Sequence, residues 1–495
     1  MTPDNRTQSS TASALRTTSL WLAAIALLCL CAADLQISSA DPWLELGRMG
    51  AGLLNPSVWS WQALLLALAH TLAFALQGVA LAALAGFALA LCYHLRWVRS
   101  LCAFVRAIHE LFWALIFIQL FGLSPLTGVL AIALPYAGTL AKIYAELFDE
   151  ANPAPRHNLP VSAGLSAFFY TTLPLALRPL LTYTSYRFEC ALRSSVVLGF
   201  IGLPTLGFYL ETALKQGQYG EAAALLYLLF ATIATLRFWL RPRLLPVYLL
   251  AALALLPPQA SGSWDMVVRF FTEDIIPAPF KTPDAEIGSW LAHLWHSQLW
   301  PGIADTLVLS QIALLLTGIL SLLCFPLNSR LFFKRPLRTL GDGWLIVLRS
   351  TPEYLLAFVG LLVFGPSMLP AVLALALHNG AIIAHLVGRY SEDLQLREDT
   401  CRGLERYAYE VLPRVYRQLL AFLLYRWEVI MRETAILGIL GISTLGFYID
   451  SAFEEFRFDR AMLLILAAAL LNIIVDKIAR LIRRRLHLQT TPAAA

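Results

Sequence analysis

The chain has 495 residues, of which 58% are hydrophobic and only 14% charged, with a mean hydropathy of +0.67. Soluble domains carry about 25% charged residues, so the composition excludes a soluble domain and describes an integral membrane protein. The net charge of +5 is modest and no basic run occurs beyond the tail RLIRRRLH, which excludes nucleic acid as a partner.

In chain order, Arg6 and Arg16 precede a first apolar run near 19–37. The ISSAD stretch at 37–41 matches a signal-peptidase pattern, but a multispan protein needs no removable signal, so an uncleaved first helix is expected. Further runs of spanning length fall near 62–92, 108–123, 125–147, 174–200 and 221–240. A second set falls near 243–257, 302–325, 344–364, 368–390, 411–440 and 460–481. No strand alternation is visible, and backbone groups in lipid must pair internally. The expected fold is therefore all-α, with about twelve transmembrane helices, six and six. The basic segments 93–107, 237–243 and 326–343 and the tail fall on one side if every run crosses. The positive-inside rule puts both termini in the cytoplasm and makes the basic tail a topology anchor. Seven cysteines lie mostly in apolar segments with no CxxC pair. They read as small buried hydrophobes.

Two stretches repeat. YRFECALRSSVVLGFIG at 186–202 and YRWEVIMRETAILGILG at 425–441 carry Arg187, Glu189 and Arg193, and Arg426, Glu428 and Arg432, at one spacing. Aligned without a gap, 170–214 and 409–453 match at nineteen of forty-five positions, ending on TLGFY in both. AHTL at 69–72 pairs with ADTL at 304–307, and HELFWALIFIQLFG at 109–122 with PEYLLAFVGLLVFG at 352–365. The chain is thus a tandem duplication, with modules 1–240 and 241–495. Six spans in each make the copies parallel.

On a helix, Glu189 and Arg193 are i,i+4 neighbours, while Arg187 points about 200° away from Glu189. Charges within a span face a bundle interior or a wet cavity. The six charged residues are expected to lock helices together and to line a shared path between the modules. His378 and Asn379, also inside an apolar run, are expected to make an interhelical hydrogen bond. Lys142 and Glu146 read as an interfacial ion pair. Gly199, Gly202 and Gly207, like Gly438, Gly441 and Gly446, permit tight bends and close helix approach.

The run YRFExxxR followed by VLGFIG resembles the permease subunit of phosphonate-type ABC importers, of the type I importer fold. The resemblance covers most of each half and is strongest at 170–214 and 409–453. It implies two parallel six-helix permease modules fused in one chain, in a bacterial inner membrane. It implies an ABC ATPase dimer and a periplasmic or extracellular substrate-binding protein as partners. It further implies an outer gate at Gly202, Gly207, Gly441 and Gly446. Type I permeases dock their ATPase through a cytoplasmic loop with the pattern Glu-Ala-Ala, then Gly, then Leu-Pro. Here the Leu-Pro ending survives as Leu173-Pro174 and Leu412-Pro413, and the Glu-Ala-Ala does not. Val161 and Thr400 stand at the family's Gly position, with Gly164 and Gly403 three residues on. The first loop is nearly uncharged and the second is dense in Glu, Asp and Arg.

No GxxxxGK[ST] phosphate loop occurs, so ATP and Mg²⁺ belong to the partner ATPase and this chain carries no cofactor. No HExxH, GxSxG or metal cluster is visible. The expected function is the permease of an ATP-driven importer of phosphonate or a related phosphorus oxyanion, passing substrate between its modules. The rival is an ion-coupled secondary transporter with two six-helix halves, for which only Glu189 and Glu428 offer membrane carboxylates.

Overall fold

A computed structural model describes residues 3–39, 41–152, 154–157, 159, 164–256, 264–281, 286–397 and 402–488. All regular structure among them is helical. The chain packs as two compact units, residues 47–276 and residues 1–46 with 277–495.

After α1 (Pro3–Leu30), the 47–276 unit contains α2 (Trp61–Leu91), α3 (Arg96–Ala107), α4 (Glu110–Phe121) and α5 (Pro125–Glu150). It continues with α6 (Leu173–Val197), α7 (Leu206–Lys215), α8 (Tyr219–Trp239) and α9 (Leu245–Leu255). The other unit repeats the order of α2–α8 as α10 (Trp300–Cys324), α11 (Arg335–Ser350), α12 (Glu353–Phe364), α13 (Met368–Glu392), α14 (Leu412–Ile439), α15 (Leu445–Glu454) and α16 (Phe458–Arg485). The duplication read from the sequence is thus a duplication of helix order.

Serines set corresponding helix starts. Ser124 caps α5 through Thr127 N at 3.4 Å, and Ser367 caps α13 through Leu369 N at 3.3 Å. Such caps satisfy N–H groups that the helix itself leaves unpaired. In each unit the core forms where the long helix α2 or α10 packs on α5 or α13. Gly78 of α2 sits so close to Ile132 of α5 that a Cβ there would lie 2.8 Å from its side chain. Small residues at such crossings let apolar helices approach closely.

The arginine-rich segment 93–107 and the run 344–364 differ from their reading as a loop and one straight span. Residues 96–107 form the amphipathic helix α3, which buries Val98, Cys102 and Val105 along one face. It meets α4 at a 91° bend, and α11 meets α12 at 91° as well. Proline explains the second break, since Pro352 drives Thr351 into extended backbone (φ −73°, ψ 124°) and so stops α11. At the first, Ile108 is extended and the His109 ring accepts from Leu111 N at 3.1 Å to start α4.

Seven described helices are long and apolar enough to cross a membrane, or up to ten if each bent pair is one span. Two of the sequence runs are not among these: α9, with 11 residues, and α14, whose 28 residues include Arg426, Glu428, Arg432 and Glu433. Packing and repeat divide the chain differently. The repeat separates 1–240 from 241–495, whereas α1 packs on α10 and α9 packs on α2. Tyr416 OH donates to Ser19 Oγ at 2.6 Å, and Met368 N to Asp34 O at 2.9 Å, both within the second unit. Among the described cysteines Cys102 is buried, but Cys31 and Cys92 are exposed, so the reading of all as buried hydrophobes does not hold for those two.

Candidate translocation and coupling site

The TLGFY segments each open a short helix just past a tight glycine turn, with the same construction in both units. After α6 the chain makes a short 3₁₀ turn, then turns at Gly202 (φ +93°) into α7, which is bent 54° from α6. The counterpart is Gly441 (φ +84°) before α15. The arms touch backbone to backbone. A Cβ on Gly207 would overlap the Val196 carbonyl oxygen, and one on Gly446 would overlap that of Ala435. The paired AHTL and ADTL motifs find their role here. Thr71 Oγ1 accepts from Leu206 N at 2.9 Å, and Thr306 Oγ1 accepts from Leu445 N at 3.0 Å. Each threonine thereby caps the helix after the turn from a neighbouring helix.

The charged residues lie just N-terminal to these turns. On α6, Arg187 donates Nε and Nη2 to Tyr183 OH at 2.9 and 2.7 Å. Its guanidinium lies over the rings of Tyr183, Tyr136 and Tyr186 at 5.3–5.9 Å. A cation held over aromatic faces keeps its charge in an apolar setting. Arg193 donates to Cys190 Sγ at 3.5 Å, and Glu189 is half-buried. On α14, Arg426, Glu428 and Arg432 are half-buried too. Arg483 of α16 lies over the Tyr425 ring at 5.6 Å and within electrostatic reach of Glu428. The aromatic support of Arg187 was not anticipated, although three tyrosines at i−4, i−1 and on the preceding long helix are its signal.

Beside each charged helix lies a polar cluster built at corresponding positions. In the first unit Ser194 donates to Glu110 Oε1 at 2.7 Å, so Tyr136 OH, 3.0 Å from Ser194 Oγ, donates to the serine. His109 Nε2 is 3.5 Å from Glu110 Oε2. In the second unit the corresponding residues are Glu353, Asn379 and Glu433. Asn379 Nδ2 donates to Glu433 Oε2 at 2.9 Å, the interhelical bond expected of it. His378 Nε2 is 3.7 Å from Glu353 Oε2. The clusters were missed because their members lie on three helices far apart in the chain.

The loops that precede α6 and α14 are also alike. Gly164 (φ +46°) and Gly403 (φ +65°) are both left-handed, and a Cβ on either would meet nothing. Glycine there serves the turn, a region costly for other residues. Each is followed by a π-helical turn, Phe168–Thr172 or Arg406–Val411, that runs into Leu173-Pro174 or Leu412-Pro413 at the helix start. Both loops hold up a leucine and a tyrosine: Tyr170 and Tyr409 are 84% and 83% exposed, Leu165 and Leu404 67% and 84%. The anchors differ. Phe168 packs edge-on against Phe148 at 4.9 Å. Tyr407, its counterpart, stacks on Phe325 at 5.5 Å, while Arg406 donates to Leu331 O at 2.9 Å and Arg414 to Gln395 O at 2.7 Å. That accounts for one loop being apolar and the other charged. Val161 and Thr400 lie outside the described residues. Lys142 and Glu146 pair at 3.8 Å as expected.

The charged helix, the glycine turn and the exposed loop thus recur in both units of an all-helical chain with several helices long and apolar enough to cross a membrane. The family described as "Binding-protein-dependent transport system inner membrane component" matches residues 315–488. The phosphate-import permease protein PhnE of Mycolicibacterium smegmatis is 24% identical over 419 residues, 78% of this chain and 77% of its own. PhnE2 of Escherichia coli, named for a cryptic phosphonate transport system, is 30% identical over 112 residues, 22% of this chain and 92% of its own. The phosphite transport system permease protein PtxC of Stutzerimonas stutzeri is 30% identical over 137 residues, 27% of this chain and 50% of its own. The chain belongs to the permease subunits of phosphonate-type ABC importers, and is a transport subunit rather than an enzyme.

Proposed function

We propose that this chain supplies two permease modules of an importer for a phosphorus oxyanion, phosphonate or a close relative, in a bacterial inner membrane with both termini cytoplasmic. The names of its relatives, which cover phosphate, phosphonate and phosphite, support that substrate class. Two subunits of an ABC ATPase, with ATP and Mg²⁺, dock on the loops at 164–174 and 403–413. A substrate-binding protein delivers the anion to the opposite side, where the turns at Gly202, Gly207, Gly441 and Gly446 form the outer gate. Arg187, Arg193, Arg426 and Arg432, with Glu189 and Glu428, give the charged helices the polar character that an anion path needs.

The observation that carries this reading is the pair of loops. Each combines a left-handed glycine, a π-helical turn and an exposed Leu–Tyr pair directly ahead of a charged helix. Large exposed apolar residues held in the same geometry in both units support an interaction surface there. The test is affinity purification of the full chain in mild detergent, with mass spectrometry of what accompanies it. A stoichiometric P-loop ATPase that is lost when residues 402–411 are deleted supports the reading. Failure to recover an ATPase, under conditions that preserve a control importer complex, overturns it.

A further inference from the structure

The polar cluster in the second unit holds the donors for a metal ion. Glu353 of α12, His378 of α13 and Glu433 of α14 each place a ligand atom within 4.8 Å of the other two. His378 and Glu433 are buried and Glu353 nearly so. The His378 Nδ1 lies 2.9 Å from Thr351 O. A carbonyl only accepts, so Nδ1 carries a proton and Nε2 faces Glu353. A backbone acceptor on one ring nitrogen, with the other turned toward carboxylates, is how metal-binding histidines are held. Asn379 adds an independent sign. Its Nδ2 bonds Leu375 O and Glu433 Oε2, while Oδ1 of that same fully buried amide has no hydrogen-bond partner. A buried amide oxygen without a partner is costly and asks for a ligand.

Charge points the same way. Two carboxylates in an apolar interior need compensation. A divalent cation beside them adds favourable charge and takes the imidazole lone pair as well. The duplication supplies an internal comparison. In the first unit Ser194 stands at the position of Glu433, Tyr136 at that of Asn379 and Pro135 at that of His378. That unit keeps a single carboxylate, already bonded by Ser194.

We propose that Glu353, His378 and Glu433 bind one divalent transition-metal ion of the zinc or manganese class, present in the second unit only. Imidazole with carboxylate oxygen suits these ions. Three atoms this close lie within about 2.8 Å of a common point, so side-chain movements of under about 1 Å bring them to the roughly 2.0–2.2 Å metal–ligand distances such sites use. The ion ties α12, α13 and α14 together and so braces the helix that carries Arg426, Glu428 and Arg432.

The test uses the full-length chain purified in detergent, stripped with chelator and then dialysed against Zn²⁺ or Mn²⁺. Metal content by mass spectrometry should be one equivalent per chain for at least one ion, and the melting temperature should rise on loading. Glu433→Ser, which installs the residue that the first unit carries, and His378→Gln should each lower the bound metal at least tenfold. Glu110→Gln, in the first unit, should retain it. With Co²⁺ as the probe, the wild type should show the d–d bands of a nitrogen–oxygen site. Wild-type protein that holds neither Zn²⁺ nor Mn²⁺ and shows no Co²⁺ bands overturns the proposal, a result that needs no folded variant. Retention of one equivalent in both site variants overturns it as well.

Discussion

Replacing Gly446 by alanine tests the close backbone contact between α14 and α15 most directly. A Cβ there overlaps the Ala435 carbonyl oxygen and lies 2.9 Å from that carbonyl carbon. These are backbone atoms, which cannot rotate aside as a side chain would. Overpacking of this kind costs about 1–3 kcal/mol. Moving α15 off α14 also stretches the 3.0 Å bond from Leu445 N to Thr306 Oγ1, worth about 1 kcal/mol. The sum is about 2–4 kcal/mol, or roughly a 30- to 1,000-fold loss in the folded-to-unfolded ratio. Two other glycines separate steric overlap from backbone strain. At Gly441 nothing lies within 4 Å but φ is +84°, so alanine adds strain alone, about 1–2 kcal/mol. At Gly343, exposed within α11 with open space around it, alanine gains helix propensity of up to about 1 kcal/mol. Melting in detergent, followed by fluorescence-detected size exclusion, should rank Gly343→Ala at or above wild type, then Gly441→Ala, then Gly446→Ala. A Gly446→Ala protein that melts with or above Gly441→Ala would refute the backbone-contact reasoning.

Other perturbations separate the remaining parts of the molecule. Tyr170→Ala with Tyr409→Ala removes only exposed rings, so stability should stay within about 0.5 kcal/mol, while recovery of the partner ATPase falls at least about tenfold; normal recovery would place docking elsewhere. Arg187→Lys keeps the charge but loses the fork on Tyr183 and the spread over three rings, and should cost about 1 kcal/mol in thermal denaturation. Raising salt from about 0.05 to 0.5 M shortens the screening length from about 14 to 4 Å, so hydrogen exchange should quicken in 402–411, where Arg406 and Arg414 hold the loop, and not in 164–172, held by Phe168. Tyr416→Phe removes the bond to Ser19 and should cost about 1 kcal/mol, with no further loss when Ser19→Ala is added, which a double-mutant cycle in melting would show.

Much of the fold was legible because it is written twice. Identical residues at 170–214 and 409–453 could be compared without any third sequence, and the structure gives both segments one geometry at Gly202 and Gly441. The bends ahead of α4 and α12 were less legible, since His109 and Pro352 stop the chain by different means, a ring acceptor in one and a proline in the other. The Glu353, His378 and Glu433 cluster was hidden for the opposite reason. Its second and third members have no chemical counterpart in the first unit, so the repeat that revealed everything else masked them as ordinary divergence. Exposed Tyr170 and Tyr409 were in plain view as matched residues, but a match alone does not say whether a side chain faces lipid, core or solvent.

The packing of α1 has a consequence for how the protein is made. Its partners, α10 and Tyr416 among them, lie in the second half of the chain. At about 5–20 residues per second, some 20–80 s pass between synthesis of the first helix and that of Tyr416. During that interval residues 47–276 can complete their own core, while the first helix waits in the bilayer with its docking face bare. Whatever shields that face in the meantime, lipid or the insertion machinery, acts as a chaperone for the second half of the molecule before that half exists.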